Sequence, residues 1–419
     1  MSELQKSFAK SRLPPEVPLF EDPSEDREND HDGSAVSRHY EHQDDDSSSA
    51  SSASSTGTVI PSASKNLFAR SSRLTSSRAE AAPLSWMDFF DRELYLDKDV
   101  DGLHITHHVY ISAPSDSGPL FVTHHGAGSS GLSFAACAVE IKKLLPAAGI
   151  LSLDARHHGS TSVEMDLTLD TLSRDLLFVI EQTRIKMNWE SHPDVVLVGH
   201  SLGGAVVTDA ASKGELGSKL LAYAVLDVVE GSAMDALQSM ETYLSTRPSS
   251  FSSVSSGIDW HTRSRTIRNT LSARASVPSL LREDPSDSSR PWKWRTDLAA
   301  TKPFWENWFI GLSKKFLQAG GGKLLLLAGT DRLDTELIIG QMQGKYQLQV
   351  LPEAGHFIHE DQPAKTAQIL VDFYKRNDRS SFILPPKVGD ILAAQALAKG
   401  VGCGNDSGSP PSNWKKSNP

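Results

Sequence analysis

The stretch V-V-L-V-G-H-S-L-G-G at Val195 to Gly204 constrains the fold more than any other part of the chain. Val195, Val196, Leu197 and Val198 form the unbroken apolar, mostly β-branched run of a strand buried on both faces, and Gly199 ends it. Leu202, Ala205, Val206 and Ala210 then recur at helical spacing, which places Ser201 on a tight turn between strand and helix. Gly199 and Gly203 stand two residues to either side, where crowding in such a turn excludes a side chain. A serine held this way lifts its Oγ within reach of a base and of a carbonyl. The helix N-terminus and the Leu202 backbone N–H favour a developing oxyanion beside it. G-x-S-x-G also occurs in loops with no chemistry, so its weight here comes from the flanking strand, the flanking helix and the partners downstream.

With 419 residues and 38% hydrophobic content, the chain is long enough for one large core, although part of it is too polar to join in. A net charge of -10 and no basic stripe argue against nucleic acid or an anionic membrane as partner. The two cysteines, Cys137 and Cys403, suit a reducing compartment and give neither a disulfide framework nor a metal site. The N-terminus lacks an apolar signal core, no run is long enough to span a membrane, and the expected location is cytosol or nucleus.

Residues 1–82 carry acidic stretches and a serine run with few large apolar groups, the composition of a disordered tail. Within it, Ser11 to Pro15 with Leu19 and Phe20 has the makings of a docking peptide. Folded structure is expected from Pro83, anchored by Trp86, Phe89 and Phe90. A turn at Asp97 to Gly102 precedes a strand at His104 to Ser112, and further strands fall at Leu120 to Thr123, Ile150 to Leu153 and Tyr223 to Val229. Helical patterns cover Leu132 to Leu145 and Leu169 to Met187. Between Glu230 and Gly320 the α/β alternation lapses, so 230–320 reads as a cap inserted into a core of 83–229 and 321–384. The tryptophan pairs Trp292/Trp294 and Trp305/Trp308 either line a pocket under that cap or fasten it to the core. Strands at Lys323 to Ala328 and Tyr346 to Leu351 and a helix at Ala364 to Tyr374 close the sheet. Residues 385–419 form a polar tail, with a short helix at Ile391 to Ala398. The fold class is α/β, a mostly parallel doubly wound sheet with a helical cap between the strands near 223–229 and 323–328.

An activated serine needs a base, and the base needs a carboxylate to fix its tautomer and stabilise its cation. His356, in E-A-G-H after the final strand, is the base; His359, three residues on, should point back toward the closing helix with Glu360 and Asp361. Two carboxylates compete: Asp331 in G-T-D, and Asp227 at the end of an apolar strand, where an unpaired charge would be costly. The order Ser, Asp, His holds for both. In H-H-G-A-G at His124 to Gly128, the second oxyanion N–H falls to Ala127, with Gly128 the alternative. Asp154 and Arg156 should hold their loop through paired contacts. No metal or cofactor is expected.

Several longer stretches carry more than the serine turn alone. They are V-L-V-G-H-S-L-G-G-A-V at Val196 to Val206, L-D-V-V-E-G-S-A-M-D-A-L at Leu226 to Leu237 and S-x-x-I-R-N-x-x-S-A-R at Ser264 to Arg274. To these add K-L-L-L-L-A-G-T-D-R-L-D at Lys323 to Asp334, I-G-Q-M-Q-G-K at Ile339 to Lys345 and V-L-P-E-A-G-H-F-I-H-E-D at Val350 to Asp361. Together these stretches resemble the protein phosphatase methylesterase family, and the resemblance implies an α/β-hydrolase fold and removal of the methyl ester from the C-terminal leucine of the type 2A protein phosphatase catalytic subunit. It also implies binding of the phosphatase body, and it carries the triad carboxylate to Asp227 ahead of Asp331.

Overall fold

The computed structural model describes residues 81–378, apart from positions 101, 116, 163–165 and 330–332. The expected tails, the Ser11 to Phe20 peptide, the helix at Ile391 to Ala398 and Asp331 lie outside the described residues.

Eight strands build the main sheet: β1 (Arg92–Val100), β2 (Leu103–Ser112), β3 (Leu120–His124), β4 (Gly149–Leu153), β5 (Val195–His200), β6 (Leu220–Leu226), β10 (Gly322–Leu327) and β11 (Gln347–Val350). Their spatial order is β1-β2-β4-β3-β5-β6-β10-β11. The pairs β1/β2 and β2/β4 are antiparallel, and every later pair is parallel. The expected turn at Asp97 to Gly102 is corrected here, because Asp97 to Val100 continue β1 opposite Leu103 to Thr106. Their charges belong to an edge strand, where they discourage pairing with another sheet, and only the end of the run is a turn. At the other end of the sheet's middle, β6 begins at Leu220 and stops at Leu226, leaving Asp227 just beyond it rather than inside it.

Both faces of the sheet are covered, which is why its central strands read as unbroken apolar runs. In β5, Val195 and Leu197 join the core cluster with helices α2 (Leu169–Lys186), α3 (Leu202–Lys213) and α8 (Leu312–Gln318). Val196 and Val198 turn the other way, toward α1 (Ala135–Leu144) and α11 (Pro363–Asn377). Phe90 is buried with the second cluster and stacks on Tyr110 at 5.5 Å, with Trp86 and Phe89 partly buried beside it.

The segment between β6 and β10 carries α4 (Glu230–Thr246), α5 (Val254–Arg263), α6 (Thr270–Leu280), α7 (Trp305–Phe309) and α8. It also contains a three-stranded antiparallel sheet of β7 (Ser250–Phe251), β9 (Trp292–Trp294) and β8 (Leu281–Glu283), too short to show a period in sequence. Phe251, Ile258, Ile267 and Val277 give this region a small core of its own. Between α7, which ends at Phe309, and α8, the chain turns through Gly311, whose φ of 77° favours glycine. After β10 come α9 (Thr335–Met342) and β11, and then the short turn α10 (Ile358–Asp361) before α11.

Two stability tests arise from this packing. A Cβ built on Gly203 falls 2.1 Å from the His124 carbonyl oxygen, so Gly203→Ala should destabilise the chain by about 3 kcal/mol or more in denaturant titration. A loss below about 1 kcal/mol contradicts that packing. The second test concerns Glu360 in α10, which is 1% exposed and lies with Oε1 2.5 Å from Ser276 Oγ of α6. Burial, with a smaller push from Asp361, raises its carboxyl from 4.5 to about 8. Between those values folding takes up a proton, so the stability that the protonated group contributes falls as pH rises through that window. Glu360→Gln should therefore gain in melting temperature relative to wild type by a few degrees between about pH 5 and pH 9. Parallel melting curves for the two proteins at every pH contradict a protonated carboxyl at this position.

Candidate active site

Ser201 stands between β5 and α3 with φ 52° and ψ -119°, a conformation that costs a non-glycine residue strain. Two contacts hold it there. Its N–H donates to Leu226 O of the neighbouring strand at 3.0 Å, and its carbonyl accepts from Gly204 N at 2.8 Å. Gly199 fits because a Cβ there would sit 2.0 Å from Gly203 O. Leu202 opens α3, so its N–H has no partner within the helix, and it lines the same cavity as Ser201.

The second oxyanion candidate, Ala127, also lines that cavity, and its N–H has no hydrogen-bond partner among the described residues. The alternative, Gly128, donates its N–H to His158 Nε2 at 2.8 Å and is thereby occupied. The loop below is tied as its charges suggested. Asp154 Oδ1 accepts from Gly131 N at 2.8 Å, and Arg156 Nε donates to Asp175 at 2.8 Å.

Asp227, with φ 50°, follows β6, and its side chain is buried. Oδ2 accepts from His356 Nδ1 at 2.9 Å, and Oδ1 accepts from Ala328 N, at the end of β10, at 2.9 Å. The carboxylate thus bridges β10 and reaches the histidine that follows β11. His356 is pinned along its loop: His200 Nε2 donates to His356 O at 2.9 Å, Gly355 N to Asp361 Oδ2 at 2.6 Å, and Arg268 to Glu353 O at 2.6 Å. Its ring remains 45% exposed at the cavity, and Ser201 Oγ makes no hydrogen bond to it. The bracing roles of His200, Arg268 and Asp361 are not legible in the sequence alone. All three stand in stretches quoted for the family resemblance, V-G-H-S, S-x-x-I-R-N and H-F-I-H-E-D, which is the signal available.

His359 does not face the closing helix as expected. It is fully buried and stacks on Phe134 at 4.1 Å, because α10 packs on the 3-10 turn Gly131–Phe134. Burial and the neighbouring His356 and His125 lower its pKa to about 3, so it is neutral and cannot compete as a base.

A cavity of about 420 Å³ opens above Ser201 and His356. Leu237, Met240 and Phe309 make it apolar, and Arg247, Arg265 and Arg268 bring positive charge to its wall. The tryptophans divide by role. Trp294, Trp305 and Trp308 line the cavity, while Trp292 packs in the small core beside β7 and β8. Trp308 also fastens, donating Nε1–H to Leu167 O at 2.7 Å. Among the described residues no group of His, Cys, Asp and Glu side chains is placed to hold a metal ion, and no helix is long and apolar enough to cross a membrane.

Comparison with known proteins agrees with this architecture. Residues 120–369 match the model of the alpha/beta hydrolase family. The chain is 67% identical to protein phosphatase methylesterase 1 of Aspergillus fumigatus over 96% of both chains. To the protein of the same name from Neurospora crassa it is 55% identical, over 94% of this chain and 99% of that one. Among solved structures, E-2-(acetamidomethylene)succinate hydrolase superposes with a TM-score of 0.54 at 18% identity, over 68% of this chain and all of that one, a likeness of fold alone. With its fold and its sequence both placed, the chain belongs to the protein phosphatase methylesterase family, carboxylic ester hydrolases built on the α/β-hydrolase fold.

Proposed function

We propose that Ser201, His356 and Asp227 act as a triad that hydrolyses the methyl ester on the C-terminal leucine of the type 2A protein phosphatase catalytic subunit. The observation that carries this reading is the Asp227–His356 hydrogen bond of 2.9 Å beside an apolar cavity that His356 and the strained Ser201 line together. An apolar chamber under a cap of residues 230–320 suits a leucine side chain, and its opening admits the end of a polypeptide.

In this scheme Asp227 accepts from Nδ1–H of His356 and leaves Nε2 as the base. His356 takes the Ser201 proton as Oγ adds to the ester carbonyl, and the N–H groups of Leu202 and Ala127 receive the oxyanion. Collapse expels methoxide, which leaves as methanol with the proton from His356. Water, activated by the same imidazole, then cleaves the acyl-enzyme and frees the leucine carboxylate and the serine. The Ser201–His356 hydrogen bond forms as substrate fills the cavity, since such bonds are often long in unliganded enzymes. The phosphatase body is the second binding partner, and cytosol or nucleus the compartment in which the two meet.

Ser201→Ala should abolish methanol release from methylated phosphatase while phosphatase capture is retained; release at the wild-type rate removes the serine from the mechanism. Asp227→Asn should lower kcat by about 10⁴-fold, the cost of the wrong imidazole tautomer, and Asp331→Asn should stay within about tenfold of wild type. The reverse ranking assigns the carboxylate to Asp331.

A further inference from the structure

Two fully buried histidines, His125 and His158, sit beneath the oxyanion loop, and the triad uses neither. Their rings lie 5.0 Å apart, and each ties the loop after β3 to the loop after β4. His125 Nδ1 lies 2.7 Å from Gly126 O and Nε2 lies 2.9 Å from Ala155 N. A carbonyl only accepts and a backbone N–H only donates, so His125 is the neutral Nδ1–H tautomer with Nε2 as acceptor. The same logic fixes His158, whose Nδ1 donates to Arg156 O at 2.8 Å while Nε2 accepts from Gly128 N at 2.8 Å.

The Gly126 carbonyl and the Ala127 N–H belong to one peptide unit. In a trans peptide the two point in opposite directions. Gly126 O is held by His125 Nδ1–H and by Ser129 N at 3.1 Å, so the Ala127 N–H is turned away from both. Donation to the carbonyl also polarises the unit and strengthens its N–H as a donor. On the other side of Ala127, His158 removes the Gly128 N–H from competition. The rest of the loop is confined as well: a Cβ on Gly128 would meet Leu298 Cδ1 at 2.6 Å.

We propose that His125 is a positioning residue for ester hydrolysis, aiming the Ala127 N–H at the oxyanion through its hydrogen bond to Gly126 O, with His158 holding the adjoining peptide unit. The proposal rests on the serine esterase reading above. Burial and the neighbouring imidazoles of His158 and His124 hold the His125 pKa well below the usual histidine range, which keeps Nε2 free to accept at working pH.

The test contrasts two amides. In His125→Asn the side-chain amide nitrogen takes the place of Nδ1 and keeps the donor to Gly126 O; in His125→Gln the amide oxygen takes the place of Nε2 and keeps the acceptor for Ala155 N–H. If His125 aims the oxyanion donor, His125→Gln should lose about 100-fold in kcat with KM little changed, and His125→Asn should stay within about tenfold of wild type. Binding of a trifluoromethyl ketone, which forms a tetrahedral oxyanion on the serine, should weaken in parallel with kcat. If His125 only ties the two loops together, the Gln variant is the better one, or both fall together with their melting temperatures; either result overturns the proposal. Should a variant fail to fold, ¹⁵N NMR of the histidine rings in the wild-type protein decides: a protonated Nδ1 on His125 supports the proposal, and a protonated Nε2 overturns it. Ser201→Ala run alongside separates the two levels. Full turnover there defeats the esterase reading itself, whereas loss there with an unaffected His125→Gln defeats the positioning role alone.

Discussion

Crowding between the ends of β3 and β5 governs this structure. The first turn of the helix after Ser201 packs against the His124 and His125 carbonyls so closely that Gly203 has no room for a methyl group, and Gly199 is blocked in turn by the Gly203 carbonyl. Between those two glycines the serine backbone stands at φ 52°. The same contact brings the loop carrying Ala127 beside the serine, so one steric arrangement sets Ser201 and one wall of its surroundings together. The strain is sustained because the sheet on either side is rigid and buried, with Ser201 N bonded across to Leu226 O.

The parallel order β3-β5-β6-β10-β11 then does the gathering. Parallel strands end at the same edge, so Ala127, Ser201, Asp227 and His356, scattered over the sequence, emerge at one rim. Asp227 leaves β6, next to the serine strand, and must cross β10 to meet His356. It does so by accepting the Ala328 N–H on the way, which satisfies one carboxylate oxygen and steers the other. Burying a carboxylate without such partners would be costly. The segment between β6 and β10 contributes as well: Arg268 donates to the Glu353 carbonyl and its backbone N–H donates to Asp361, so the histidine loop is braced from that segment too.

Much of this was legible in the sequence, for identifiable reasons. The sheet core announced itself because both of its faces are buried, and β5 could be read residue by residue. Gly199 and Gly203 are dictated locally by the serine turn, so they too were visible. Other features depend on contacts that sequence spacing does not encode. The charged residues Asp97, Lys98 and Asp99 look like a turn and serve an edge strand. The strands of the small sheet, two or three residues each, carry no period at all. Chain order admitted both Asp227 and Asp331, and only the path from β6 across β10 shows how Asp227 reaches the imidazole. Likewise, His124, His125 and His158 are three of 15 histidines, and nothing local distinguishes a ring that clamps a loop from one that fills space.

The site thus combines a strained serine, a braced histidine loop and a set of buried, neutral imidazoles beneath an apolar chamber with arginines on its wall. Under the proposed reading, all of it serves to make one hydroxyl, that of Ser201, nucleophilic. The most direct measurement is mass-spectrometric mapping of the native protein after reaction with a serine-directed fluorophosphonate. One adduct is expected, on Ser201, and it should disappear when the chain is unfolded in denaturant before labelling; an adduct on a different serine, or equal labelling of the folded and unfolded chain, contradicts activation of Ser201 by the fold.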